Sequence, residues 1–597
     1  MRKMSSNGFL PISKGDMASR GIDTLDFVFV SGDAYIDHPS FGAAVITRHL
    51  ESLGYMVGIV AQPDWRDTGD ISKLGKPKLG FLVSGGNVDS MVAHYTAAKK
   101  KRNSDYYSPE GRAGLRPDRA VIVYCNLIRR AFGDVPIVIG GLEASLRRFA
   151  HYDYWDDKVR RSILVDSGAD ILVYGMGEGP IAKIAELLSF GIPVKKIKTV
   201  RGTAVLYPQL STFNFQLSTS YDILKHDKTA YAKAFALQYE NNDHVTGQAV
   251  AEGYGDRVLV QNPPWPPLGQ RELDRVYALP YMRDFHPCYR DVPAIEEVKF
   301  SITHTRGCFG GCNFCALSFH QGRSVRSRSQ ESVVKEARLI SELPDFKGYI
   351  HDIGGPTANF RKPSCQRQLK EGMCKNKSCL APPCENLEVD HREYMALIEA
   401  VEALPKVKRV FVRSGIRFDY LMLDSDRSFF EKLVRDNTSG QLKVAPEHVS
   451  EAVLAAMGKP GGGIYEKFSG EFYGLCERFG KEQYLVPYFM SSHPGSGLPE
   501  ALELALWLKK AGHAPEQVQD FYPTPGTAST CMFYTGLNPF TGEAVYVPDS
   551  YGEKKLQRAL LQSAKPENRA AVLEACKRLG REDLLGVLTE QKNRSKL

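Results

Sequence analysis

Three cysteines near the middle of the chain are spaced as ligands of one metal cluster. They lie in the segment Arg306-Gly-Cys308-Phe-Gly-Gly-Cys312-Asn-Phe-Cys315, with three and then two residues between successive cysteines. Iron–sulfur clusters are usually held by four thiolates, so a three-cysteine loop leaves one iron without a protein ligand. Catalytic metal sites keep such a position open. The spacing therefore predicts a catalytic [4Fe–4S] cluster on Cys308, Cys312 and Cys315.

The same triplet also fits a structural zinc site or three structural cysteines. Zinc in a structural site takes four ligands, so the triplet would need one more. His304 or His320 lies close enough in sequence to supply it. On this interpretation the chain is a non-catalytic, zinc-stabilised protein that binds nucleic acid.

A second group of cysteines follows in a basic, proline-containing insert over 361–390. Cys365, Cys374, Cys379 and Cys384 are separated by eight, four and four residues. Four thiolates suit an auxiliary iron–sulfur cluster or a structural zinc ion, although the spacing lacks the Cys-x2-Cys of a zinc ribbon. An auxiliary cluster, zinc and no metal all remain alternatives. The five other cysteines are scattered, and most are expected to be buried small hydrophobic residues.

The composition is that of a globular protein, with 597 residues, 43% hydrophobic and 24% charged. No apolar run approaches the ~18–20 residues of a membrane span, and the N-terminus lacks the apolar region of a secretory signal. We therefore expect a cytoplasmic protein without membrane contact, in which twelve cysteines do not form a disulfide framework. The net charge of +8 allows a nucleic-acid partner but does not require one.

A series of alternating strands and helices must position the triplet. Apolar runs predict strands, and the triplet follows the first of them directly. Helical patterns lie between the strands, so the region 298–548 is predicted to form a partial (β/α)6 barrel, two units short of a complete one. The predicted strands are 298–304, 347–353, 408–414, 441–446, 484–490 and 516–522, and the predicted helices are 330–343, 391–403, 427–436, 450–457, 464–479 and 498–511.

An earlier α/β alternation predicts a doubly wound domain over 26–195, preceded by a tail over 1–25. Residues 196–297 are expected to be a linking region that packs against its neighbours, with an extended connector at the proline-rich segment 262–267. A helical tail over 549–597 is expected to hold two amphipathic helices. The predicted strands of the domain are 27–30, 57–60, 79–83, 137–139 and 171–174.

The triplet, with an aromatic residue before its third cysteine and a strand before its first, resembles the signature of radical S-adenosylmethionine (radical SAM) enzymes. The resemblance implies that S-adenosylmethionine chelates the open iron through its amino and carboxylate groups. It also implies that one electron, from a donor of the flavodoxin or ferredoxin type, cleaves the sulfonium. The products would be methionine and a 5′-deoxyadenosyl radical, which abstracts hydrogen from a substrate.

The resemblance also suggests residues that would bind S-adenosylmethionine. Gly354 and Gly355 follow the second strand, where the superfamily has a Gly-Gly-Glu turn for the methionyl amino group, although Pro356 replaces the acid here. Polar residues at the ends of the fourth and fifth strands are expected to contact the ribose or the carboxylate. These residues are Glu447, Ser491 and His493.

Taken together, several segments resemble the YgiQ-like family of radical SAM proteins from about residue 25 to 585. The supporting segments are 31–42, 140–148, 308–315, 444–448 and 492–495. The family resemblance does not specify the substrate, which could be tRNA, protein or a small molecule.

The N-terminal domain looks like the cobalamin-binding domain of many radical SAM enzymes. Cobalt-ligating histidines can occur in an Asp-x-His-x-x-Gly element, and the order Asp37-His38-Pro-Ser-Phe-Gly42 does not reproduce it. We expect the domain to serve substrate binding or packing, with cobalamin lacking a histidine ligand as the alternative.

Two sets of charged residues have both a functional and a structural interpretation. Glu143, Arg147 and Arg148 follow a Gly-Gly turn at a strand end. They are either functional charges at that strand end or solvated residues at the start of a helix, where Glu143 would complement the helix dipole. Similarly, Arg323, Arg326 and Arg328 either bind an anionic group or lie on the surface of a long loop.

Overall fold

A nine-stranded sheet forms the first half of the chain in the computed structural model, which describes residues 8–208, 216–375, 378–513, 515 and 518–590. Five of its strands are those predicted from the sequence between residues 27 and 174. They are parallel and almost wholly buried, as is usual for strands that are covered on both faces. From one edge to the other, the order is Gln216–Ser220, Val250–Tyr254, Arg257–Gln261, Thr203–Pro208, Ile171–Val173, Ile137–Gly140, Gly80–Ser84, Phe27–Ser31 and Val57–Ala61.

The region 196–297 is more than a linking region, which corrects the expectation from the sequence. Four of its segments are strands that extend the sheet beyond Ile171–Val173, beginning with the antiparallel strand Thr203–Pro208. An antiparallel hairpin, Val250–Tyr254 and Arg257–Gln261, follows. The sequence signal was weak because these strands are not separated by regular helices, so they lack the α/β alternation that revealed the others. The proline-rich segment 262–267 is extended, as predicted.

Helices cover both faces of this sheet. Ala120–Phe132 packs on one face, whereas Gly42–Ser52 and Glu178–Ser189 pack on the other. This arrangement is doubly wound, as predicted. The other helices of this half are Lys14–Ser19, Gly69–Ser72, Ser90–His94, Gly141–Leu146, Ile163–Ser167, Tyr221–Leu224, Lys228–Glu240, Gln270–Tyr277 and Ala294–Val298. Two small antiparallel pairs accompany them, Ile36–Asp37 with Asp284–Phe285 and His151–Asp153 with Lys158–Arg160.

The second half is a partial barrel. Each of the six predicted strand regions contains a strand in the part of the chain that the structure describes, and all their pairings are parallel. An antiparallel pair, Thr305–Arg306 with Arg326–Ser327, frames the cysteine loop. The barrel strands are Ser301–Thr303, Tyr349–Ile350 continuing at Asp352–Gly354, Arg409–Val410, Gln441–Glu447, Tyr484–Ser491 and Gln519–Asp520.

Every predicted helix of the barrel is present. The observed helices are Gln330–Ser341, Arg392–Glu402, Ser428–Lys432 with the π-helical turn Leu433–Asn437, Glu451–Met457, Gly463–Phe479 and Leu498–Lys510. Four further helices, Leu317–His320, Gln366–Glu371, Phe418–Leu423 and Ala528–Thr535, were not predicted.

The C-terminal tail packs on the barrel. Tyr551–Leu561 and Arg569–Leu579 are the two predicted helices, and a shorter one follows at Leu585–Thr589. Leu556 and Leu560 join Leu504 and Leu508 of the last barrel helix in one apolar cluster. Across the described residues, no helix combines the length and the apolar character of a transmembrane segment.

Candidate active site

A cavity of about 680 Å³ lies between the sheet and the barrel. On the sheet side it is bordered by turns that follow three parallel strands, at Gly86, Gly141 and Gly175. On the barrel side it is bordered by Gly354, at the end of a strand, and by Ser414, which follows the third strand. Ligands of open α/β sheets and of βα barrels bind at these carboxyl ends. The two halves of the chain therefore share one site.

The cysteine triplet lies directly beside this cavity. Arg306 and Leu317, which flank the triplet in sequence, both border it. Gly307 makes the loop turn, since its φ is +81° and a Cβ there would lie 2.2 Å from the carbonyl oxygen of Ser324. The backbone N–H of Asn313 donates to the carbonyl of Met457 at 2.8 Å, which ties the loop to the barrel.

The three thiols are close enough to act on one another electrostatically. Burial raises the pKa of Cys308, and burial together with the other two cysteines raises the pKa of Cys315 to about 12. Such thiols are neutral unless a cation compensates them, and a metal deprotonates the thiols that it binds. The donor set therefore fits an iron–sulfur cluster held by three thiolates.

Arg417 places a positive charge on this site, which the sequence analysis missed. Its guanidinium donates to Cys312 Sγ at 3.2 Å and is held by Asp419 through an Nε–Oδ1 contact of 2.8 Å. On the other side of the loop, Thr357 Oγ1 lies 3.4 Å from Cys308 Sγ. The pattern Ser414-Gly-Ile-Arg417-Phe-Asp419 after the third strand was the available signal.

Gly354 and Gly355 border the cavity where the resemblance places them. Both positions are crowded: a Cβ on Gly354 would lie 2.1 Å from Asp352 Oδ2, and one on Gly355 would lie 2.5 Å from Thr305 Cγ2. The Asp352 carboxylate accepts backbone hydrogen bonds from Arg413 at 2.8 Å and Ser414 at 3.1 Å. These interactions fix the turn so that its backbone faces the cavity.

Glu447 lies between the cysteine loop and Lys459. It has a φ of +69° and is almost fully buried. Burial raises the pKa of its carboxyl, and Lys459, 3.8 Å away, and Arg417 oppose that rise. Its charge in turn acts on Cys315. Glu447 therefore belongs to the surroundings of the triplet, although it does not border the cavity.

Ser491 and His493 do not border the cavity and have internal partners instead. Ser491 Oγ donates to Asp520 Oδ1 at 2.6 Å. His493 Nε2 lies 2.6 Å from Ser529 Oγ, and burial lowers the pKa of the imidazole to about 3. Its ring packs edge-on against Phe314, with 6.1 Å between centroids. His493 thus supports the cysteine loop from behind, and the structure does not bring either side chain to the expected cofactor position.

An ion pair across the two halves closes one side of the cavity. Arg306 and Glu178 lie 2.5 Å apart, and both border the cavity. Burial alone would raise the pKa of Glu178, but the Arg306 guanidinium holds it below its ordinary value. The sequence did not reveal this pair, because 127 intervening residues separate its members.

Comparisons with known proteins now identify the family. A family model described as "Radical SAM N-terminal" matches residues 9–301, and a "Domain of unknown function (DUF3362)" matches residues 516–592. A UPF0313 protein of Clostridium botulinum (strain 657 / Type Ba4) is 56% identical over 588 residues, covering 98% of this chain and 92% of that protein. A UPF0313 protein of Clostridium perfringens (strain 13 / Type A) is 56% identical over 589 residues, covering 98% and 89%.

The chain belongs to the UPF0313 family. The predicted membership in the YgiQ-like family of radical SAM proteins is thereby confirmed. This UPF0313 protein is a radical SAM enzyme, and its relatives' descriptions state no substrate. The alternative of a non-catalytic, zinc-stabilised nucleic-acid-binding protein finds no support in these relatives.

Solved structures resemble the UPF0313 protein in fold. The cobalamin-dependent S-adenosylmethionine radical enzyme OxsB, with aqua-cobalamin bound, aligns with a TM-score of 0.50 at 11% identity, covering 96% of this chain and 73% of that one. The radical S-adenosylmethionine methyltransferase TsrM from Kitasatospora setae aligns at 0.47 and 14% identity, covering 85% and 76%. The predicted fold class, a doubly wound domain followed by a partial barrel, is confirmed.

His38 of the UPF0313 protein does not fit the role of a cobalt ligand. The side chain is buried and does not border the cavity. Its Nδ1 accepts from the backbone N–H of Ser40 at 3.1 Å, and its Nε2 lies 3.4 Å from the Arg283 guanidinium. Burial and Arg283 lower the pKa of the imidazole. Asp37 is likewise buried, paired with Arg48.

The charged residues near Gly140 are buried, so the solvated-helix interpretation is wrong. Glu143 accepts backbone hydrogen bonds from Ser90 at 2.9 Å and Val121 at 3.1 Å, and Arg147 pairs with Asp89.

Arg148 connects the N-terminal domain to the cysteine region. Its guanidinium lies 3.7 Å from the ring centroid of Phe319, in the helix that follows the triplet.

The arginines after the triplet differ from one another. Arg328 is buried and paired with Glu336, so it is not a surface arginine. Arg323 lies beside the cysteine loop, since a Cβ on Gly311 would lie 3.4 Å from its Nη2. Arg326 is half-buried at the strand pair that frames the loop.

The remaining cysteines fall into two environments. Cys125, Cys476, Cys531 and Cys576 are buried, as expected for most of the scattered set, whereas Cys288 is exposed. Among the described residues, no three His, Cys, Asp or Glu side chains are arranged to hold a single metal ion. That result concerns single ions, because each thiolate of a cubane cluster binds a different iron.

Proposed function

We propose that this enzyme binds a [4Fe–4S] cluster through Cys308, Cys312 and Cys315 and cleaves S-adenosylmethionine reductively in the adjoining cavity. The observation that carries the proposal is the grouping of three partly buried thiols beside a cavity, with the Arg417 guanidinium 3.2 Å from Cys312 Sγ. When bound and reduced, the cluster supplies one electron that splits the sulfonium into methionine and a 5′-deoxyadenosyl radical.

The residues around the cluster site compensate charge and exclude water. Arg417 and Thr357 offer hydrogen-bond donors to two of the cysteine sulfurs. A buried cation beside thiolates favours their charged form. Phe309, which belongs to the cysteine loop, is buried and stacks on Phe360. Dry surroundings strengthen these interactions, because the local dielectric is low.

Gly354 and Gly355 present backbone polar groups to the methionyl end of S-adenosylmethionine. Their crowded surroundings leave no room for side chains, so the ligand meets the backbone itself. Because Pro356 cannot ionise, the amino group would be bound by carbonyl oxygens rather than by a carboxylate at that position. Glu447 is the nearby acidic residue that balances Lys459 and Arg417.

The sheet side of the cavity is where we place the substrate. Its wall contains apolar residues from the strands, including Leu82, Val138 and Val173. An apolar wall opposite polar strand ends suits a substrate with one apolar portion. An electron donor of the flavodoxin or ferredoxin type completes the system.

Anaerobic reconstitution and a 5′-deoxyadenosine assay test the proposal. Wild-type protein with reconstituted cluster should release 5′-deoxyadenosine from S-adenosylmethionine after reduction, whereas Cys308→Ala/Cys312→Ala/Cys315→Ala should release none. Cys288→Ala, an exposed cysteine outside both groups, is the matched control and should behave as wild type. Zinc in place of iron at the triplet, or product from the triple variant, would overturn the proposal.

A further inference from the structure

The insert between the second barrel strand and the helix Arg392–Glu402 gathers its cysteines. Cys379 lies within electrostatic reach of Cys365 and Cys384, and the Cys384 N–H donates to the Cys379 carbonyl at 3.1 Å. Arg367 lies within electrostatic reach of both Cys365 and Cys374. All four thiols are free, with Cys374 exposed and the others partly buried. The thirty-residue segment therefore carries four free thiols, and three of them act on one another electrostatically.

Hydrogen bonds connect the described parts of the insert, 361–375 and 378–390, to one another and to the barrel. Its two ends are joined where the Glu388 N–H donates to the Ser364 carbonyl at 2.8 Å. Ser378 Oγ accepts from the backbone of Leu380 at 3.2 Å and Ala381 at 3.0 Å. The Gln368 amide donates to the Arg323 carbonyl at 3.0 Å, which anchors the insert next to the cysteine triplet.

The insert packs against the triplet through aromatic rings. Leu380, which directly follows Cys379 in the sequence, is buried in an apolar cluster with Phe309 and Phe360. Cys308 and Cys379 both pack against this same cluster. The rings of Phe309 and Phe360 are stacked, with 3.7 Å between centroids and an interplanar angle of 15°. One member of each cysteine group therefore contacts the apolar cluster that contains this aromatic stack.

We propose that Cys365, Cys374, Cys379 and Cys384 bind a second [4Fe–4S] cluster, which relays electrons to the cluster at Cys308. Four thiolates would fill every iron site, so this cluster offers no open position to S-adenosylmethionine. Because Cys374 is exposed, a redox protein can approach this cluster. The relay rests on the proposed function, whereas the metal site does not depend on it.

One electron passes at each step of the relay. A low-potential flavin or iron–sulfur protein is oxidised by one electron, and the second cluster is reduced from the 2+ to the 1+ state. The second cluster returns to 2+ as the first is reduced, across the Phe309 and Phe360 rings. No proton or atom is transferred in either step.

Iron and sulfide content after anaerobic reconstitution with ferrous iron and sulfide tests the site. Wild type should hold about eight irons and eight sulfides per chain, since each cubane contains four of each. Cys308→Ala/Cys312→Ala/Cys315→Ala should retain about four of each, and so should Cys365→Ala/Cys374→Ala/Cys379→Ala/Cys384→Ala. Cys288→Ala should match wild type.

The triplet variant and the insert variant together show whether the second cluster is present. Iron and sulfide that remain in the triplet variant support the second cluster even if the insert variant fails to fold. A triplet variant without iron, or with one zinc ion per chain, overturns it. If only the proposed function fails, wild type will still hold about eight irons per chain but will form no 5′-deoxyadenosine.

Comparison of reductants tests the relay. Reduced flavodoxin and dithionite should each support 5′-deoxyadenosine formation by wild type. The insert variant should lose the flavodoxin-supported reaction while dithionite, a small reductant, still supports it. Retention of the flavodoxin-supported reaction, or equal loss with both reductants, would overturn the relay.

Discussion

The two cysteine groups differ in the charged side chains around them, although both contact one apolar cluster. The triplet cysteines are partly buried, and a buried arginine and a threonine lie against two of their sulfurs. In the insert, Cys374 is exposed and the other three cysteines are partly buried, and the neighbouring Arg367 is an exposed residue that pairs with Glu371. The contrast separates two requirements of radical chemistry: the reacting centre must exclude water, whereas electrons must enter from outside. The charged side chains around the cysteines, more than the cysteine spacing, distinguish the two roles.

Thiol labelling of the metal-free protein is the most direct test of the difference between the two cysteine groups. At neutral pH we expect iodoacetamide to label exposed Cys374 far faster than Cys315. A pKa of about 12 in place of the ordinary 9.0 leaves Cys315 with about a thousandfold less thiolate, and burial slows its reaction further. Peptide mass spectrometry over time gives both rates. Equal rates at Cys374 and Cys315 would contradict the contrast in burial.

The buried ion pair beside the triplet should matter more than an exposed pair nearby. Glu178→Gln removes the partner of Arg306 and should lower the free energy of unfolding by about 3–5 kcal/mol at pH 7, because a buried charge is left unpaired. Glu186→Gln, which breaks the exposed pair with Lys183, should cost about 0–1 kcal/mol. Urea unfolding at pH 7 measures both.

The same pair predicts a pH dependence. Because folding lowers the pKa of Glu178 from 4.5, its contribution is present above that pH and is lost as the pH falls through the folded-state pKa. The stability difference between wild type and Glu178→Gln should therefore shrink below about pH 4.5. A difference that stays constant down to pH 3 would show that the pair contributes no charge-dependent stability.

The smallest expected effect concerns the reduction potential. Arg417→Gln removes a cationic donor from Cys312 Sγ, which destabilises the more negative, reduced cluster and lowers its potential. A charge-assisted hydrogen bond contributes about 1.5–3 kcal/mol, which corresponds to roughly 65–130 mV for one electron.

A potentiometric titration followed by EPR measures this shift, and Arg417→Lys should recover part of it. Arg367→Gln in the insert is the matched control, and we expect it to leave the first cluster's potential near that of wild type. An unchanged potential in Arg417→Gln would show that the guanidinium does not tune the cluster.

Much of the architecture could be predicted from the sequence because local patterns determine it. Apolar runs gave the parallel strands, and the helices between barrel strands lay within a few residues of their predicted bounds. The strands at 203–208 and 250–261 were missed because they form an antiparallel extension without intervening helices. Their pairing depends on long-range contacts that no local periodicity encodes.

The site was predictable only where the residues are close in sequence. The triplet was predicted from its spacing, and the Gly354–Gly355 turn was predicted from the family resemblance; both lie at or beside the cavity. Arg417 and the Arg306–Glu178 pair were not, because distant segments bring them together. Ser491 and His493 were expected at the cofactor because they end a strand, but the structure gives their side chains partners in neighbouring elements.

The packing of the last helices has a consequence for biosynthesis. Gln557 accepts from the backbone N–H of Ser492 at 3.0 Å and donates to the Ser496 carbonyl at 2.7 Å, so the tail fixes the turn after the fifth barrel strand. Leu560 and its neighbours also cover the last barrel helix. The chain must therefore be synthesised beyond Gln557 before this turn can take its final conformation. A nascent chain that stops before this helix holds an incomplete barrel, so we expect cluster insertion to follow synthesis of these helices.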